Sequence, residues 1–246
     1  MLFRRVKSHI KNEDWFAVFI DFCIVVAGVY IGLQLGNANE ARSDKRAYQQ
    51  AVDRFKAETE TNLKALDELD KGISEYLKRA TTAFDALQSC VDSPENVALV
   101  NSGVTAITGT YGLSVRRGAL DELTNTPTLL AQQSPKERAF LTDAKYYFDI
   151  IQREANYVET IPLNERIQNN PIIGIGEAVY RNVTYAGVDF SRVQRPLYLK
   201  VPVSEACQND ALIKSFYTWE RWQQVLPALS RQMRTELTEA QETFDM

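Results

Sequence analysis

Residues 21–36 read DFCIVVAGVYIGLQLG and lie inside the only long apolar run of the chain, residues 15–35. About 20 apolar residues cross a hydrocarbon core roughly 30 Å thick, so the run is long enough to span a bilayer. An aspartate is costly there, and Gly28, Gly32 and Gly36 are poor helix formers. A plain anchor needs neither. At 100° per residue, Gly28 falls about 20° behind Asp21, Gly32 about 20° ahead of it and Val25 about 40° ahead, with Gly36 at the edge. Asp21, Val25, Gly28, Gly32 and Gly36 therefore share one helical face. Small residues at four-residue spacing let a second helix approach closely. The expected reading is a packing face for a membrane protein partner or a second copy of the chain. The acid lies about 9 Å along the helix from Trp15, where it meets a basic group, water or a proton. A tolerated shallow acid is the alternative.

The flanks carry the topology. Arg4, Arg5, Lys7 and Lys11 precede the run; Arg42, Lys45 and Arg46 follow it. A basic start and the small residues Gly36-Asn37-Ala38 also fit a cleaved signal peptide, but its apolar core is usually about 7–15 residues. An uncleaved anchor is preferred over a cleaved signal or a lipid-surface helix. The short basic N-terminus is expected to stay inside, placing the following residues in the bacterial periplasm. Residues 2–10 suit either a short amphipathic helix on the inner leaflet or a disordered basic tail. The few residues ahead of the span leave little room for an output domain.

From Asn39 to Leu87 there is no proline, and Gly72 is the only glycine. Tyr48, Val52, Phe55, Thr59, Leu63, Leu66, Leu69, Ile73, Tyr76, Leu77, Ala80, Phe84 and Leu87 recur at steps of three and four, giving one helical stripe. Asp53, Lys56, Glu60, Lys64, Asp67, Glu68 and Lys71 form the charged opposite face. The span is expected to run into this helix unbroken. One apolar stripe does not stabilise so long a helix alone, so it needs partners.

The same chain supplies them. Ser134-Pro135-Lys136-Glu137 combines an N-cap, a first-turn proline and a capping-box glutamate. A stripe of Phe140, Ala144, Tyr147, Ile151, Ala155 and Val158 follows, ended or kinked by Pro162. A last helix is expected from Asn209 or Asp210, with Leu212, Phe216, Trp219, Leu226, Leu229, Met233, Leu237 and Phe244 inward and a Pro227 kink near Gln223 and Gln224. Trp219 and Trp222 read as core and seam. A short helix is expected over residues 115–123, and 91–114 reads as irregular. Residues 162–206 hold four prolines and three glycines. Their alternating runs at 178–180, 182–185 and 197–201 suit short strands or an ordered cap, and the cap is preferred.

Composition excludes much chemistry. The net charge is -4, which disfavours nucleic-acid binding. The single histidine, His9, precedes the span, so histidine-based nucleophilic sites and histidine-rich metal sites beyond it are excluded. Gly174-Ile175-Gly176 lacks the third glycine of a dinucleotide loop, because Val179 stands there. Asn182-Val183-Thr184 matches a glycosylation sequon, which carries little weight in a bacterial setting. Asp67, Glu68 and Asp70, and Glu236, Glu239 and Glu242, lack calcium-loop spacing and read as solvated faces. Arg116-Arg117 reads as a surface pair rather than an anion grip. Neither a metal nor a cofactor is expected, and no enzymatic activity.

Three cysteines remain. Cys23 reads as a small apolar residue of the span. Cys90 follows the first long helix and Cys207 precedes the last, so both fall at the membrane-distal end if the two helices run between membrane and tip. Disulfides persist in the periplasm, and a Cys90–Cys207 bridge is expected over two unrelated buried thiols.

Trp15-Phe16-Ala17-Val18, Gly28, Ile31-Gly32-Leu33-Gln34-Leu35, Asn37 and Asn39-Glu40-Ala41-Arg42 resemble an uncharacterised family of small single-pass bacterial inner-membrane proteins with a periplasmic helical domain. Ala38 replaces the tryptophan usual between the two asparagines. Thr110-Tyr111, Gly118-Ala119-Leu120 and Tyr146-Tyr147 resemble weaker landmarks of the same family. The resemblance implies location and architecture, and no activity.

The expected protein is mainly α. Residues 1–14 form a cytoplasmic basic or amphipathic N-terminus and 15–36 a transmembrane helix. Residues 37–246 form an elongated antiparallel periplasmic helical bundle, with 162–206 as its irregular cap. The expected role is a non-enzymatic accessory or scaffolding subunit of a larger inner-membrane assembly. A ligand-sensing module acting through a partner is the alternative.

Overall fold

The computed structural model describes residues 15–164, 166–185 and 188–245. The expected N-terminal segment, residues 1–14, lies outside them. The chain is mainly helical with few strands. Helix α1, Trp15–Gln88, is unbroken over 74 residues, about 110 Å at 1.5 Å per residue. It is followed by α2 (Pro94–Ala106), α3 (Gly118–Asn125), α4 (Pro127–Gln132) and α5 (Pro135–Thr160), and then by two 3-10 turns, Ile161–Asn164 and Ile167–Asn169. Strands β1 (Ile173–Ile175), β2 (Val179–Tyr185), β3 (Val188–Gln194) and β4 (Leu197–Leu199) lead to α6 (Val203–Ala206), α7 (Asp210–Gln223) and α8 (Leu226–Asp245).

The apolar start of α1 is long enough to cross a membrane, and none of its most apolar window is buried among the described residues. The first fully buried residue of α1 is Ala51. From there the stripe meets α3, α5 and α8 around Phe55, Leu66 and Ile73, with Leu141, Phe148, Met233 and Leu237 facing them. Further along, Ala83, Phe84 and Leu87 meet α2, α7 and the strands through Val100, Val104, Phe216 and Trp219. Each such large side chain contributes roughly 1.5–3 kcal/mol on burial. The C-terminal helices pass along α1 in reverse order. Phe216 stacks on Phe84 with centroids 5.5 Å apart, Arg234 reaches Asp67 at 2.9 Å, and Phe244 meets Phe55 edge-on at 5.8 Å.

The capping box forms as the sequence indicates, with the Ser134 hydroxyl accepting from the Glu137 N–H and the Glu137 carboxylate accepting from the Ser134 N–H. Asn209 caps α7 by accepting from the Leu212 N–H. Pro227 does more than kink the last helix. The chain leaves α7 after Gln223 and restarts at Leu226.

Several expectations are corrected. Residues 91–114 are not irregular throughout: Ser93 caps α2 and Pro94 opens it. Gly103 lies where α2 crosses α1, since a Cβ there would sit 2.1 Å from the Ala83 Cβ. The expected helix at 115–123 begins instead at Gly118 and runs to Asn125. Its N-cap, Arg117, makes no side-chain cap, and Glu58 of α1 accepts the Ala119 N–H in its place. In α5, Phe140 packs half-buried against the core and Phe244 as expected, with Leu141 buried beside it; Phe148 is buried in place of Tyr147, because a tyrosine hydroxyl keeps its hydrogen bonds in water. The preferred loop-like cap over 162–206 gives way to two antiparallel pairs, β1 with β4 and β2 with β3.

Candidate functional site

Two surfaces stand out, one on the apolar segment and one at the far end of α1. On the segment, Asp21 and Val25 are exposed, and a Cβ built at Gly28, Gly32 or Gly36 would meet nothing within 4 Å. The five residues lie along one continuous helix, so the shared face follows from helical geometry. Nothing else in the described chain covers it. Cys23 is free and exposed.

At the far end, Cys90 and Cys207 form a disulfide with Cα atoms 5.4 Å apart. Cys90 takes φ 53 just past α1, the left-handed conformation that ends many helices and usually falls to glycine. Its N–H donates to the Leu87 carbonyl. Asp92 holds the other half of the bridge in place by accepting from the Ser204 N–H at the start of α6. The Ser204 hydroxyl and N–H together keep the Asp92 carboxyl below its ordinary range.

Beside this end, β2 and β3 project as a hairpin, with every residue of β3 exposed. Its register places Arg181 directly opposite Arg192. Between the hairpin base, α1 and the end of α2 lies a cavity of about 430 Å³. Four arginines line it, Arg79, Arg181, Arg192 and Arg195, and none of the described lining residues is acidic. Arg79 lies over the Tyr76 ring, 5.2 Å from its centroid, and pairs with Glu75 at 2.9 Å. Arg195 donates to the Gly176 carbonyl at 3.2 Å. Among the described residues, Arg181 and Arg192 make no ion pair or side-chain hydrogen bond.

Other charged groups serve the fold. Arg117, weighed above as an anion grip, instead pairs with Asp121 and Asp149 of this chain. Those hydrogen bonds raise its pKa further. Asp67 and Asp70 are not simply solvated, because both bind Arg234. Gly174 lies in β1 with the Tyr198 ring across it, 2.3 Å from where a Cβ would stand. No metal-ligating cluster is found among the described residues.

Nothing in the linear sequence groups the four cleft arginines, because Arg79 lies about a hundred residues before the hairpin. One local clue existed: a two-residue connection between strands at 185 and 188 sets 181 opposite 192. No protein family, curated protein or solved structure matches this chain.

Proposed function

We propose that this chain is a non-enzymatic, membrane-anchored accessory or scaffolding subunit of a larger bacterial inner-membrane assembly, of the kind its opening residues resemble. Its apolar segment spans the inner membrane with the N-terminus cytoplasmic. The remainder stands in the periplasm as an elongated antiparallel helical bundle tied by the Cys90–Cys207 bridge. The span docks a partner helix, or a second copy, through Asp21, Val25, Gly28, Gly32 and Gly36. The observation that carries this reading is the glycine face of an apolar helix segment that nothing covers among the described residues. Glycines at this spacing permit close backbone approach, and an approaching helix shields the acid from lipid.

The test is purification from the native membrane in mild detergent. Stoichiometric membrane subunits should co-migrate, and should be lost on Gly32→Leu while membrane insertion persists. A lone monomer for both proteins would end the proposal. The second reading, a ligand-sensing module acting through a partner, draws support from the arginine-lined cleft. It requires a small molecule to co-purify.

A further inference from the structure

We propose that the cleft between the β2–β3 hairpin and α1 binds a small, multiply charged anion bearing phosphate or clustered carboxylate groups. This holds whether or not the span docks a partner. Arg181 and Arg192 face each other across the ladder, and like charges directly opposite destabilise a strand pair. An anion seated between them reverses the sign of that interaction. The chain is net acidic at -4, yet four arginines line one cavity whose described lining residues include no acid, Glu75 pairing with Arg79 beside it. Guanidinium groups present planar, bidentate donors suited to phosphate and carboxylate oxygens. Arg79 and Arg195 are held in place by Tyr76, Glu75 and the Gly176 carbonyl. The unpartnered pair is left to close on the ligand. The cavity volume, about 430 Å³, lies within the range of small-molecule sites. A free soluble anion is favoured over a lipid headgroup, because about 60 Å of helix separates Gly36 from Tyr76.

The experiment uses the full chain in detergent, with thermal unfolding and calorimetric titration at matched ionic strength. Pyrophosphate, inorganic phosphate and citrate serve as probes, and sodium chloride as control. Pyrophosphate should raise the unfolding temperature and bind with one-to-one stoichiometry. Arg181→Ala should weaken binding by about tenfold or more. Arg192→Glu should abolish the anion-induced shift and, without added anion, raise the unfolding temperature by pairing with Arg181. Arg231→Ala, on the exposed side of α8, should change neither. No shift with any probe, or an equal shift in Arg192→Glu, overturns the proposal. Arginine-dependent sedimentation with phosphatidylglycerol vesicles, without pyrophosphate binding, overturns the assignment to a soluble anion.

Discussion

Gln223 hydrogen-bonds the backbone of Tyr111 in both directions: its Oε1 accepts the Tyr111 N–H at 2.8 Å, and its Nε2 donates to the Tyr111 carbonyl at 3.2 Å. The same Nε2 donates to the Val158 carbonyl at 2.9 Å. The side chain is fully buried at the α7–α8 break, so one amide satisfies three backbone groups from two distant segments. Gln223→Leu is expected to cost about 2–4 kcal/mol, since unmet buried backbone groups carry their full desolvation penalty. Urea unfolding followed by circular dichroism checks this; a loss under about 1 kcal/mol would mean that water replaces the amide.

Gly103 fixes how closely α2 crosses α1. Alanine normally gains about 1 kcal/mol over glycine inside a helix. Here its methyl would sit 2.1 Å from the Ala83 Cβ and 3.0 Å from the Phe216 ring. Overpacking of this kind costs about 1–3 kcal/mol, so Gly103→Ala is expected to lower the melting temperature. Gly109→Ala, where nothing lies within 4 Å, is the matched control.

The Cys90–Cys207 bridge closes a sequence separation of 117. Removing a native disulfide costs about 2–5 kcal/mol in small secreted domains. Cys207→Ser is expected to fall in that range. Hydrogen exchange should rise first in α6 and the start of α7, which the bridge ties to the end of α1. Uniform exchange across the chain would contradict that local role.

Two carboxylates give opposite pH signatures. Burial raises Glu236, helped by Glu239 and Asp143 and opposed by the hydrogen bond from Gln232. A raised folded pKa means that stability present below the ordinary glutamate value is lost as pH rises through the folded one. Glu236→Gln should therefore raise the melting temperature at neutral pH, with the gain vanishing in acid. Burial also raises Glu137, but the hydrogen bonds from Ser134 and Tyr48 outweigh it and the net pKa is lowered. Its stabilisation is present above the ordinary glutamate value and is lost as pH falls through the folded one. Glu137→Gln should destabilise at neutral pH and converge with wild type in acid. Melting curves across the acidic range separate the two.

On the apolar segment, Val25→Cys in a Cys23→Ser background places a crosslinkable thiol on the glycine face. Crosslinking in native membranes is expected to yield a discrete adduct, and Gly32→Leu should reduce it. An unchanged yield would move the contact to another face.

How much of this could be read beforehand depended on locality. The α1 stripe and the capping box at Ser134 are written in neighbouring residues, and each formed near its expected place; at Pro227 the expected kink is a full break between Gln223 and Leu226. The α2 helix carried the same opening signature, Ser93-Pro94, but Gly103 and the polar residues around it resemble a loop until Ala83 is seen against them. Tertiary contact there overrides local propensity. In α5, helical geometry allowed either Tyr147 or Phe148 inward, and the hydroxyl decided it. The disulfide followed from topology. The cleft did not, since it joins α1 to a hairpin whose register alone brings two arginines face to face.

The unbroken run of α1 ahead of Ala51 has a mechanical consequence. From Asn37 to Lys71 there is neither glycine nor proline, so the helix has no swivel. About 20 Å of helix joins Leu35 to the first tertiary contact, where Tyr48 packs on the core and donates to Glu137. The apolar segment and the bundle are therefore joined by continuous helix rather than by a hinge. The Phe55–Phe244 contact lies on the same continuous helix as Asp21.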